Sequence, residues 1–489
     1  MDNAEALRLV QRIYTRLNAR RPEIENLENY VAGLQPLSFA TEEWRKSNSQ
    51  RYSGFADNWA APVVNAEAER IRYTGMNLGA DTSSASNELH KHWVRNDGEA
   101  QSSQGFQTTL TAKRSFAIVW GDTSTDEPLL TWEHPSNVEI EYDFENPRVR
   151  RAALKTWVDE EDEYATLYTP DFLFKYQRPR TSAANADEPQ SKQGKTGYVA
   201  NGGWVPRVSA GEAWVIANPM GVVPVVEFPN RPTLKGDPVS EIAGVIPMQD
   251  FVNLMWAYLM LAADYASMPA RVVLGSSPPK IPIIDKDGNA TGATKAVDMK
   301  ELSERRLFYV DGDNPSIGSW EAAKLDVFTD VIDVAVGHIA SQTRTPPTYL
   351  VSKTGMSNVN GEGLKASEIG LNKKVLEFET FASSAMREVN RLIALASGDD
   401  KLAKLVSYGT VTWMNPEIRS EAQLADMMVK LKSIGYPLEY LMELRGESTL
   451  DIPRILAMSK KEQELDPIVQ AGRAFAEVNN DPESSGSTL

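Results

Sequence analysis

The chain has 489 residues, with 67 Asp and Glu against 51 Lys and Arg, a net charge of −16 and no cysteine. That length accommodates roughly two to four domains with a sizeable core, and the missing cysteine excludes a disulfide framework, a thiolate metal site and a cysteine nucleophile. The acid excess argues against a protein that grips nucleic acid through clustered cations, but it suits one that handles DNA without holding it, because an acidic wall shortens the residence of phosphates.

Met1-Asp-Asn-Ala-Glu-Ala-Leu7 has no basic stretch followed by an apolar run, so it does not read as a signal peptide. Leu7, Val10, Ile13, Tyr14 and Leu17 fall on one face of a helix over 4–20. Pro22 is placed to open a second helix carrying Ile24, Leu27, Tyr30 and Val31, ended by Gly33. The stretch from Trp44 to Trp59 is polar. Pro62 then opens a helix through Arg70, and further helices are expected over 86–96 and 105–115. From Phe116 the period drops to two. Phe116–Trp120, Leu129–Trp132, Val138–Tyr142, Arg150–Val158, Glu163–Tyr168 and Phe172–Tyr176 predict an antiparallel sheet, followed by a polar loop over 179–204 and a strand over 222–228.

The segment 237–395 reads as helix, β-rich excursion, helix, Pro- and Gly-containing loop, and long helix. The first helix starts near Pro238, carries the apolar run Phe251–Ala263 and stops at Pro269. That run is flanked by Asp250 and Asp264 and is too short for a membrane span, which needs about 20 apolar residues. Its stripe of Met255, Trp256, Leu259 and Met260 suits a core position and a neighbouring subunit as well. The second helix is expected over 320–343 and the third over 362–397. A short helix, a strand at Thr410–Trp413 and two or three helices from Leu424 onward follow, before a disorder-prone tail over 479–489.

The motifs of catalysis are missing. There is no G-x-x-x-x-G-K-[ST] phosphate loop and no G-x-S-x-G elbow. Gly355–Gly363 is Gly-rich without dinucleotide-site spacing. Asp285-Lys286-Asp287-Gly288 begins like a calcium loop, but Gly stands fourth instead of sixth and Ala296 occupies the place of the bidentate Glu, so a hairpin turn is expected. His90 and His92 point to different faces of a helix, and His134 and His338 lack neighbours at ligand spacing, so no metal or cofactor is expected. The acidic run Glu160–Glu163 reads as a solvated turn or edge.

Several elements together resemble the portal proteins of tailed double-stranded DNA bacteriophages, notably long-tailed phages of Gram-positive hosts. They are Tyr30-Val-Ala-Gly-Leu-Gln-Pro-Leu37, then Asn58 with Pro62-Val-Val-Asn65 and Arg70, and Gly236–Ile242 with Pro247–Asp250 and Asn253. Thr345-Pro-Pro-Thr-Tyr-Leu350, Asn360-Gly-Glu-Gly-Leu-Lys365, Glu368 and Leu371-Asn-Lys-Lys374 complete the set. Gly363 stands where the family carries a helix former. The resemblance implies a mainly helical α+β portal fold assembled as a ring of twelve at one capsid vertex, a structural part of the virion and not an enzyme, assembled in the host cytoplasm. It implies a wing (1–236), a stem helix (237–269), a clip (270–319), a second stem helix (320–343) and a tunnel loop (344–361). A tunnel helix returning to the wing (362–415) and a crown (416–478) follow. The implied partners are double-stranded DNA, the large terminase, a head-to-tail adaptor, and major capsid and scaffolding proteins, with no membrane. Within that frame Arg344, Lys353, Asn358, Asn360 and Lys365 are candidates for the DNA channel, and Lys280, Asp285, Lys286 and Asp287 for docking at the clip. Each of the loop cations could equally be a solvated surface charge or an intersubunit ion pair. A non-channel connector ring and an acidic soluble enzyme are the competing readings.

Overall fold

The computed structural model describes residues 1–35, 56–79, 83–122, 127–159, 162–179, 203–208, 213–267, 271–274, 280–285, 288–296, 307–310, 316–319, 324–350, 361–417, 421–448, 450–465 and 470. The expected tail over 479–489 and most of the expected loop over 179–204 lie outside them.

Helix α1 (Asn3–Ala32) is one continuous helix and not the expected pair. A proline inside a helix removes a hydrogen bond and costs about 3 kcal/mol, yet Pro22 is carried through. The residues just before it are clamped from the side. Arg20 donates to the carbonyls of Pro135 and Val138 at 2.9 and 2.8 Å, and Arg21 to that of Ser136 at 2.9 Å. Gly33 closes the helix at φ 73°, where a side chain would be strained, and the Leu34 N–H returns to the Asn29 carbonyl at 2.8 Å. Helices α2 (Ala60–Ala68), α3 (Ser83–Arg95) and α4 (Gly98–Ala112) follow, with β1 (Tyr73–Asn77) between the first two.

The alternating runs form strands as their period predicts: β2 (Arg114–Asp122), β3 (Glu127–Glu133), β4 (Val138–Tyr142), β5 (Arg150–Val158), β6 (Asp162–Tyr168) and β7 (Phe172–Pro179). Short β8 (Val205–Pro206) and β9 (Val215–Ala217) both pair with β7, completing the sheet of β4 to β9. Strand β10 (Val225–Pro229) instead joins β2 and β3 in the order β10-β2-β3. Helix α1 lies on the larger sheet, burying Leu7, Val10, Ile13 and Tyr14 against Leu154, Leu167, Phe174 and Tyr176. Glu163 is not the solvated turn or edge residue expected. It is buried, accepts from Tyr14 Oη at 2.8 Å and is paired with Arg178.

Helix α5 (Ile246–Ser267) starts eight residues later than Pro238, because 241–245 is spent on tight turns, with Val245 N–H bonded to the Ile242 carbonyl at 2.8 Å. Between α5 and α6 (Asp326–Thr343) lie β11 (Arg271–Leu274), β12 (Lys280–Ile284), β13 (Ala290–Ala296), β14 (Leu307–Val310) and β15 (Ser316–Ser319). They form the sheet β14-β11-β15 and the separate hairpin β12–β13. Pro347–Leu350 forms a single helical turn, α7, inside the expected loop. Helix α8 (Gly361–Ala396) is 36 residues long, about 54 Å at 1.5 Å per residue, and its first residue matches the expected start to within one. Then come α9 (Asp400–Val406), β16 (Thr410–Trp413), which pairs with β1, and α10 (Glu421–Ser433), α11 (Leu438–Arg445) and α12 (Asp451–Leu465). One large core joins α2 to α4, the β10-β2-β3 sheet, α5, α6 and α8 around Phe106, Phe228, Phe378 and Val389.

Candidate functional site

Helices α5 and α6 pack against each other on either side of the β-rich excursion. On α6, Ile332, Ala335, Val336, Ile339 and Ala340 face inward and are buried. The opposite side carries Val327, Val331 and Val334, spaced four and three residues apart, and these are 59%, 37% and 60% exposed. With Met248 and Phe251 of α5 they line an apolar cleft of about 440 Å³. A contiguous apolar stripe open to water marks a surface built to be covered.

Helix α5 is fastened to the N-terminal helices through its polar first turns. Tyr30 donates to Asp250 at 2.8 Å, and Asp57 N–H and Trp59 N–H donate to the side chains of Asn253 and Gln249 at 2.9 and 2.7 Å. Trp256 Nε1 donates to Asp57 Oδ2 at 2.7 Å, and Asn58 donates to the Val31 carbonyl at 2.6 Å. Met255 and Trp256 thus pack against this chain's own core, half of what their stripe suggested.

The end of α6, the turn α7 and the start of α8 meet at a buried charge cluster. The Lys374 ammonium is 2% exposed. It lies 2.7 Å from Glu241 Oε1 and 3.0 Å from Glu67 Oε2, and donates to the Thr343 carbonyl at 3.1 Å. Arg231 stands 3.1 Å from the other Glu241 oxygen, so two carboxylates meet two cations. Burial, then the neighbouring Glu241, pushes the Glu67 carboxyl up, and Lys374 opposes this. Beside it, Arg70 lies 3.4 Å from Glu368 and donates to Asn372 at 2.7 Å and to the Tyr349 hydroxyl at 2.8 Å. Thr343 donates to Thr345 at 2.9 Å. Taking ions out of water costs several kcal/mol each, and deleting one member of such a set costs about 3–5 kcal/mol, so the cluster fixes one arrangement of α2, α6, α7 and α8.

The two networks account for the scattered motifs. Tyr30, Asn58, Gln249, Asp250 and Asn253 belong to the first, and Arg70, Glu241, Thr345, Tyr349, Glu368, Asn372 and Lys374 to the second. Sequence reading used most of these residues as family markers and missed that they touch. Glu67 and Lys374 are 307 positions apart, and the signal was only that Lys374 lay in a quoted segment and Glu67 in the expected helix from Pro62 to Arg70.

Of the channel candidates, Arg344 ends α6 in the left-handed region at φ 55°. Its guanidinium is 59% exposed and 3.9 Å from Glu377 of the same chain. Lys365 lies on the first turns of α8. Lys353, Asn358 and Asn360 fall outside the described residues. Of the docking candidates, Lys280 and Asp285 stand exposed on the hairpin β12–β13, while Lys286 and Asp287 lie outside. Asp285 Oδ1 accepts from the Asn289 N–H at 2.9 Å, where β12 and β13 pair as the expected hairpin. The structure brings Lys280 and Asp285 together at one hairpin and puts Arg344 at the far end of α6. Among the described residues no group of three or more His, Asp or Glu could hold a metal, and no helix is long and apolar enough to cross a membrane.

Comparison with known proteins gives the same direction. The chain is 26% identical over 387 residues to the portal protein of Mycobacterium phage L5, covering 76% of this chain and 71% of that one. It is 27% identical over 387 residues to the portal protein of Mycobacterium phage D29, with the same coverage. The family "Phage portal protein, SPP1 Gp6-like" matches residues 10–464. Since that match takes in both polar networks, helices α5 and α6 and the excursion between them, the chain belongs to the SPP1 Gp6-like family of phage portal proteins, structural components of the virion.

Proposed function

We propose that twelve copies of this chain close into a ring at one vertex of the capsid, forming the conduit through which double-stranded DNA enters during packaging and leaves during ejection. The observation that carries the reading is the apolar outer stripe of α6. A helix that buries one side in its own chain and leaves Val327, Val331 and Val334 in water is half of an interface. In this reading 1–236 is the wing, α5 and α6 the stem, 270–319 the clip, 344–361 the tunnel loop, α8 the tunnel helix returning to the wing, and 416–478 the crown. The hairpin β12–β13 exposes Ile281, Ile283 and Ile284 beside Lys280 and Asp285. That supports the clip as the surface that receives the large terminase and afterwards the head-to-tail adaptor. Arg344, Lys353, Asn358, Asn360 and Lys365 are the groups assigned to face DNA. Major capsid and scaffolding proteins complete the assembly, which takes place in the host cytoplasm.

The test is the mass and rotational symmetry of the purified particle, by native mass spectrometry and averaged electron micrographs. A ring of 12 × 54.1 kDa, about 649 kDa, is expected. A compact dimer or tetramer that stays so when capsid assembly partners are added overturns the reading.

A further inference from the structure

A cavity of about 1130 Å³ opens between the second half of α8, the turn from β4 to β5 and the 221–232 connection. In a chain of net charge −16 its charged lining is cationic. Arg148, Arg150, Arg387 and Arg391 face it against Glu227 and Glu388, a balance of four to two. Both carboxylates are already engaged. Glu227 accepts from Arg114 and from the Tyr142 hydroxyl, each at 2.7 Å. Glu388 accepts two bonds from Arg391, each at 2.7 Å, and is paired with Arg150. Arg387 is aimed by a 2.9 Å bond from Nε to the Gly409 carbonyl, which leaves its two terminal nitrogens for a ligand. Among the described residues no carboxylate reaches Arg148 or Arg387. The rest of the lining mixes apolar side chains, among them Val149, Pro232 and Phe381, with Tyr142, Ser384 and Ser407. The loops 143–149 and 231–237 contribute Arg148, Val149 and Pro232 to the lining and also carry Phe144 at 81% exposure and a fully exposed Leu234.

We propose that this cavity is a docking site for an acidic segment of another protein, one that presents at least two carboxylates beside an apolar side chain. Arginines set beside apolar side chains in an open cleft fit a segment that carries both carboxylates and an apolar group. Guanidinium forks already fixed by their own partners bind carboxylates bidentately with little further ordering. The apolar part of the lining and the exposed Phe144 and Leu234 match side chains that a phosphodiester backbone lacks. The inference does not depend on ring formation or on the number of copies.

The test uses the full chain and two fluorescein-labelled short peptides, one of Glu, Asp and Leu and the other with Gln and Asn in place of the acids. Fluorescence anisotropy should show the acidic peptide binding at least about tenfold more tightly at low salt and losing that advantage as salt rises. Arg148→Glu, at an exposed position, and Arg148→Glu combined with Arg387→Glu should each weaken it, the pair by about tenfold or more, with the thermal midpoint of the single variant unchanged. Equal binding of the two peptides, binding of neither, or binding untouched by the variants overturns the proposal. Displacement by duplex oligonucleotide from wild type but not from the double variant would make this a phosphate site. A change in particle mass in the double variant without peptide binding would hand the cavity to a second copy of the chain. Either result also overturns the proposal.

Discussion

Glu379 sits on the buried side of α8, 5% exposed, and its Oε1 atom has no hydrogen-bond partner. Burial pushes its carboxyl up from 4.5 to about 8. Between those values the folded chain keeps a proton that the unfolded chain has released. The stabilisation is therefore complete below about pH 4.5 and is lost as pH rises toward 8, at about 1.4 kcal/mol per pH unit. Glu67 and Glu139, also raised chiefly by burial, act in the same direction. Glu379→Gln should leave stability near wild type at pH 5 and raise it at pH 8 by up to about 4 kcal/mol. Denaturant midpoints at the two pH values measure this, and an unchanged difference between them refutes it. A neutral amide at the same place has no such proton to lose. The Lys374 cluster differs in kind, because its carboxylates have cations in contact and its role is to hold three helices and a turn in one geometry.

Helix α6 carries two opposed apolar faces, and only one is used within the chain. Val331→Asp with Val334→Asp places two carboxylates on the outer stripe without touching Ile332, Val336 or Ile339. The variant chain should unfold within a degree or two of wild type but fail to form the large particle, a combination that sedimentation and thermal melts resolve. Loss of folding along with assembly would show that the stripe is core after all. This outer face was missed in the sequence, where the stripe expected to meet a neighbouring subunit was placed on α5 instead, whereas the long helices and alternating strands were legible from their periods. Pro22 misled because a local rule says break while Arg20 and Arg21, bonded to carbonyls more than 110 positions away, hold the chain straight. The start of α5 was misplaced because Glu241 and its neighbours are spent on docking, with the Glu241 N–H bonded to the Leu110 carbonyl at 2.9 Å. The strand at 222–228 was read correctly, yet its choice of β2 as partner is a fact of topology that no local pattern carries. The site was legible only as a set of short motifs. Their convergence on Lys374 needed the fold.

At the scale of the whole molecule the charge of −16 works against assembly, since twelve copies in the proposed ring would sum to 12 × −16, or −192. Salt screens that repulsion over a distance of about 10 Å at 0.1 M and leaves apolar contacts intact or stronger. The assembled fraction should therefore grow as sodium chloride is raised from low to moderate concentration, as analytical ultracentrifugation would record. A fall with salt would mean that ion pairs, and not the α6 stripe, hold the copies together. One further consequence lies in how α8 is mounted. From Leu371 onward its inward residues are set in the core, and just ahead of them Glu368 is buried beside Arg70. The Lys374 contact to the Thr343 carbonyl ties the end of α6 to the same helix. A pull that draws α6 away from α8 is therefore borne at Lys374, Glu67 and Glu241, buried ions that are costly to part.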